Sequence, residues 1–151
     1  MKDKGYSRDT IASVQMQQDI MDAHYAREDV LDIAGCPIRI CDRSAIDPIV
    51  YAILTAKNTN EAKERQDLLT KSPDFQKALK RYKAQGSIVI LLKPVPKWLV
   101  DDGVRSTENQ DICIGIFKGL LKDLDIEHYE LGEDMMYLEE RVTFALGRGG
   151  L

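Results

Sequence analysis

Apolar residues recur near helical spacing through residues 7–30, at Ile11, Val14, Met21 and Tyr25, with Ile20 and Ala23 widening the stripe. The pattern predicts a helix capped by Ser7, whose hydroxyl can satisfy an orphan amide of the first turn. Gly35 and Pro37 close the link that follows. Ile-Arg-Ile-Cys at residues 38–41 alternates as a short strand and runs into Asp42, Arg43 and Ser44. Asp47-Pro48 opens a second helix, because proline suits the first helical position, and Ile49, Val50, Ile53 and Leu54 form its apolar face. Asn58-Thr59-Asn60 breaks that helix. Residues 61–69 and 74–84 read as two polar helices divided by Ser72-Pro73, with Gly86 as the stop.

Residues 87–92, Ser-Ile-Val-Ile-Leu-Leu, are apolar on both faces. Such a run suits a strand covered by helices on each side of a parallel sheet. A loop rich in proline and charge follows over residues 93–107 and carries Trp98. Residues 108–124 read as a helix, 126–131 as a weaker strand and 135–146 as a last helix, with Met135 and Met136 in its core. Strands alternating with helices predict an α/β fold with a mainly parallel sheet. Only three strands are legible and the first element is a helix, so the pattern predicts a single domain over residues 1–151 that lacks an N-terminal strand. That expectation leaves a sheet edge with uncovered apolar residues, open to self-association.

Composition adds exclusions. Of 151 residues, 44% are apolar and 30% charged, as in ordinary globular chains. A net charge of -4 argues against nucleic-acid binding, and the cluster Lys77, Lys80, Arg81 and Lys83 has the spacing of a solvent face. Cys36, Cys41 and Cys113 are odd in number and lack paired spacing, which suggests neither a disulfide framework nor a zinc site. Cys41, inside a predicted strand, reads as a buried inert thiol. His24 and His128 lack the paired spacing of a metal site on one helix. The start has no apolar signal segment, and residues 88–92 are too few to span a bilayer, so the expected setting is cytoplasmic, away from membranes.

Two places carry candidate chemistry. The first is Asp42-Arg43-Ser44 at the end of a predicted strand, where ligands of open α/β sheets sit. A carboxylate there can orient magnesium or accept a proton, and a guanidinium beside it can hold a phosphate. The competing reading makes Asp42 a turn cap and Arg43 a surface ion-pair partner. The second is Asp101-Asp102-Gly103-Val104-Arg105, where Gly103 permits a tight turn and Arg105 could fold over phosphates. The same residues also make a routine solvated turn.

Three runs together, ICDRSAIDPIVYA at 40–52, WLVDDGVR at 98–105 and LEERVTFAL at 138–146, resemble the NadR-like AAA/P-loop family. That family includes ribosylnicotinamide kinase domains, and the resemblance spans about residues 7–146. It implies a three-layer parallel sheet of the P-loop NTPase and nucleotide-kinase type, binding ATP with Mg2+ and passing a phosphoryl group to a small-molecule acceptor. On that resemblance Asp42 is the strand-end aspartate near metal and acceptor, and Arg43 the phosphate-binding arginine. Asp47 and Asp102 border the acceptor, and Arg105 is the lid arginine. These assignments suit phosphoryl transfer, which depends on positioning and charge stabilisation.

The chain departs from the family at one decisive point. No G-x-x-x-x-G-K-S/T occurs, so no loop of amides with an adjoining lysine is encoded to grip a triphosphate. The expectation is therefore a kinase-like domain seen without its N-terminal third and inactive alone, or a non-catalytic interaction module on a remnant of that fold.

Overall fold

The computed structural model describes residues 12–33, 35, 38–99 and 109–150, and these are mostly helical. The helices are α1 (Val14–Ile33), α2 (Asp47–Leu54), α3 (Thr59–Thr70), α4 (Pro73–Tyr82), α5 (Gln110–Asp123) and α6 (Leu138–Arg148). Two strands, β1 (Val89–Leu92) and β2 (His128–Leu131), and a short 3-10 helix at Pro96–Trp98 complete the set among the described residues. The backbone forms two compact units, Met1–Leu79 and Lys80–Leu151, which divide within α4.

In the first unit α2 packs against both α1 and α3. Its start follows from sequence, with Pro48 inside the first turn. Asn58 begins α3 by accepting a hydrogen bond from the Glu61 amide at 3.0 Å, and the Glu61 carboxylate reaches back to the Lys57 amide at 2.8 Å. This reciprocal arrangement satisfies amides that no helical carbonyl can reach. Arg65 then ties α3 to α2, donating to the Ala52 carbonyl at 3.0 Å and Thr55 Oγ1 at 3.1 Å while pairing with Glu61 at 2.7 Å. The Ser72 hydroxyl caps α4 by accepting from the Phe75 amide at 3.2 Å. Met21, Ile49, Val50, Leu69, Phe75 and Ala78 are fully buried, and fully burying an aliphatic or aromatic side chain contributes about 1.5–3 kcal/mol.

Ser7 lies outside the described residues. The hydroxyl that does serve the start of α1 is that of Ser13, which accepts from the Met16 amide at 3.3 Å.

The second unit holds a two-stranded parallel sheet, with Val89 opposite His128 and Leu92 opposite Leu131. Helix α5 provides the crossover between the strands, as a parallel pair requires. Leu91, Val95, Leu120, Leu121, Ile126 and Leu131 are its buried apolar residues.

This architecture corrects the expected three-layer parallel sheet. Among the described residues only β1 and β2 pair. Residues 38–41 form no strand, with Ile40 87% exposed and Cys41 exposed rather than buried. The physical reason is that alternation selects an extended backbone, whereas a strand also needs a ladder partner, and these residues have none in the sheet. β1 is likewise not covered on both faces, since Leu92 is 61% exposed. Met135 and Met136 are half-buried rather than core.

Candidate functional site

The Asp42-Arg43-Ser44 turn and the first residue of α2 form one hydrogen-bonded knot. Arg43 sits in the left-handed region with φ 73°, which turns its side chain back over α2. Its Nη1 donates to Asp47 Oδ1 at 2.8 Å. The Ser44 amide donates to Asp47 Oδ2 at 2.9 Å, and the Ser44 hydroxyl donates to the same oxygen at 3.1 Å. Ser44 Oγ in turn accepts from the Ile46 amide at 3.2 Å. Asp47 is buried, so its carboxylate draws stability from these donors rather than from water.

Burial works against the Arg43 charge, but the hydrogen bond and charge of Asp47, with a further contribution from Tyr51, outweigh it and hold the guanidinium above its ordinary value. The pair is therefore permanently charged on the cationic side. Of the two roles open to Arg43 in the sequence, the structure shows it engaged with a carboxylate. Asp42 is exposed, and its main-chain carbonyl accepts from Arg27 Nη2 at a long 3.5 Å.

Asp102 and Arg105 lie outside the described residues, so the structure brings together Arg43 and Asp47 alone among the five predicted site residues. Among the described residues no three His, Cys, Asp or Glu side chains gather as metal ligands. Asp47 already accepts three hydrogen bonds, and Asp42 has no acidic neighbour in any such group. The described donors thus do not fit a magnesium ion, which takes several oxygen ligands in near-octahedral order.

A second charged cluster lies in the other unit, and the sequence pattern did not reveal it. Glu130 on β2 accepts from Lys118 at 2.9 Å, with Lys93 at 3.5 Å and His128 at 3.8 Å. The Lys118 hydrogen bond, helped by the charges of Lys118 and Lys93, outweighs the opposing effect of burial and holds the Glu130 carboxyl below its ordinary value. Lys93 follows β1 and Lys118 lies on α5, so tertiary pairing assembles this group and no local spacing announces it. Gly132 leaves room for Lys93, since a Cβ there would come 2.5 Å from Lys93 Cε.

The third feature is apolar. α6 buries none of its residues. Phe144 meets Tyr129 edge to face with centroids 5.8 Å apart, and Arg148 stacks 4.5 Å from the Tyr129 ring. Arg141 donates to the Gly132 and Met135 carbonyls at 2.7 Å each and lies 4.5 Å from the half-exposed Trp98 ring. These contacts fix one side of α6. Another side carries Leu138, Val142 and Leu146 at four-residue intervals, exposed to 74%, 47% and 39%, beside Tyr137 at 72%.

Compared with known proteins, the chain matches no family model, no curated protein and no solved structure. The NadR-like resemblance therefore stands on its three motifs alone. None of the described helices is long and apolar enough to cross a membrane.

Proposed function

We propose that this chain is a non-catalytic protein-interaction module whose binding surface is the exposed stripe of α6. The observation that carries this reading is the combination of Leu138, Val142 and Leu146, exposed and in helical register, on a helix none of whose residues is fully buried. Isolated exposed leucines need no explanation, but an apolar row along one side of a helix, exposed along its length, has the composition of a docking surface. Tyr137 adds an aromatic anchor at one end, of the kind that dominates binding energy at interfaces.

The alternative is a phosphotransferase using ATP and Mg2+ on a small acceptor. It asks the Asp42–Asp47 turn for a free cation and a free carboxylate. Arg43 and Asp47 hold one another instead, and freeing either leaves a partly buried charge uncompensated. No described geometry favours that reading.

Two measurements test the proposal. Calorimetric titration with Mg2+ and ATP is expected to give no binding heat, and tight binding sinks the non-catalytic part. Leu138→Asp with Val142→Asp is expected to abolish retention of any partner that the unchanged chain retains, without shifting the melting temperature. Equal retention by both proteins removes α6 as the surface.

A further inference from the structure

We infer that α6 is a detachable latch, a helix that opens while α5 and the two-stranded sheet stay folded, and that Arg141 is the residue that fastens it. The inference concerns how α6 is held, and it stands apart from what the exposed row of that helix binds. The first observation is how little α6 buries. None of its eleven residues is fully buried, whereas α5 buries Leu120 and Leu121 and the sheet buries Leu91 and Leu131. A segment with little buried apolar surface opens at a lower free energy than the core it rests on.

The second observation is the kind of contact that holds it. Phe144 and Arg148 meet the ring of Tyr129, and Arg141 meets the ring of Trp98. Those two rings are 38% and 48% exposed. A cation stacked on a wet ring shifts an equilibrium by only roughly two- to fivefold. Arg141 does more, because it uses its edge and its face together. Nε and Nη2 donate to the Met135 and Gly132 carbonyls at 2.7 Å each, which folds the β2–α6 connection onto the helix. The face of the same guanidinium lies 4.5 Å from the Trp98 ring centroid. Lysine keeps the charge but has no planar fork, so it cannot make these contacts at once.

The third observation is length. Isolated helices shorter than about 12–15 residues are marginal in water, and α6 has eleven. Val142, Thr143 and Gly147 lower its intrinsic helicity further. Once undocked, α6 melts, so release of the latch exposes its amides to solvent.

Hydrogen exchange of the full chain, read by mass spectrometry, tests this. After correction for intrinsic rates, amides of residues 142–148 are expected to exchange about tenfold or more faster than those of α5. Low urea is expected to leave the α6 rate unchanged, because its opening exposes little surface. Arg141→Lys is expected to speed α6 exchange by a further tenfold or so, to leave α5 exchange as it was and to shift the emission of Trp98, the single tryptophan, to the red. Phe144→Leu stays apolar but loses the ring contact with Tyr129, and it is expected to speed α6 alone by roughly two- to tenfold. Equal protection of α6 and α5 in the unchanged chain overturns the detachable helix. If Arg141→Lys speeds both helices alike, or unfolds the unit, Arg141 supports the whole unit and the latch is overturned. If Arg141→Lys leaves α6 exchange unchanged, Arg141 is not what fastens it.

Discussion

Arg43 reaches one turn forward to Asp47, and the 2.8 Å contact between them closes the chain onto the start of α2. The carboxylate does three jobs at once. It neutralises a guanidinium, caps the Ser44 amide and receives the Ser44 hydroxyl. Asp47→Ala removes both oxygens that accept these three hydrogen bonds and leaves a partly buried cation and part-buried donors behind. The expected destabilisation is about 2–3 kcal/mol, below the full value for a deeply buried pair because Arg43 remains partly wet. Urea unfolding of the two proteins measures it. A change under about 0.5 kcal/mol reduces the knot to a surface ion pair of the ordinary weak kind.

The same turn carries a backbone cost. Arg43 is not glycine, yet it adopts φ 73°. Left-handed geometry costs an L-residue roughly 1–2 kcal/mol, which glycine escapes. Arg43→Ala loses the ion pair and keeps the strain, whereas Arg43→Gly loses the ion pair and relieves it. Arg43→Gly is therefore expected to be the more stable variant by about 1 kcal/mol, despite the usual penalty for glycine in the unfolded chain. The reverse order in paired chemical denaturation contradicts the account.

Much of the local structure was legible because its causes are local. Asp47-Pro48 opens α2 and Ser72-Pro73 divides α3 from α4, each through a side chain or ring that acts within one turn. Gly86 stops the preceding segment with φ 87°, a conformation glycine accepts readily. The misreadings share one cause as well. Alternation at residues 38–41 and the apolar run at residues 87–92 each state which faces are apolar, and neither states what covers them. Residues 38–41 stay outside the sheet, and Leu92 stays exposed. The Glu130 cluster was illegible for the complementary reason, since Lys93, Lys118 and Glu130 meet only after β1, α5 and β2 have packed. The Arg43–Asp47 pair occupied the middle ground. Its four-residue spacing was visible, but its burial and shared donors were not.

Helix α5 contains two glycines whose substitution has a clear sign. A Cβ built at Gly115 or Gly119 meets nothing within 4 Å, and neither residue has positive φ. Nothing in the described structure needs the missing side chain there. Glycine in a helix interior is less favourable than alanine by roughly 0.5–1 kcal/mol. Gly115→Ala and Gly119→Ala are each expected to stabilise the chain by about that amount. Thermal melts of the single and double variants provide the measurement. A destabilising double variant reveals close approach of some other surface to α5.

Glu130 supplies the pH dependence. Its carboxyl is held below the ordinary value of 4.5, first by the Lys118 hydrogen bond and then by the charges of Lys118 and Lys93. A carboxyl depressed on folding binds its proton more readily in the unfolded chain. Its contribution is therefore complete above 4.5 and disappears as pH falls through the lower, folded value. Glu130→Gln keeps the shape and removes the charge. Near neutral pH it is expected to destabilise the chain by under about 1 kcal/mol, since the cluster is partly solvated. That difference should hold constant down to about pH 5, shrink below it and vanish in strong acid. Lys118→Met is expected to reproduce both the size and the acid profile, because it removes the largest of the favourable contacts. Addition of 1 M salt should flatten both differences at every pH, as the Debye length falls to about 3 Å. A Glu130→Gln deficit that persists or grows on acidification would mean that the side chain acts through packing, and that its two lysine neighbours are incidental.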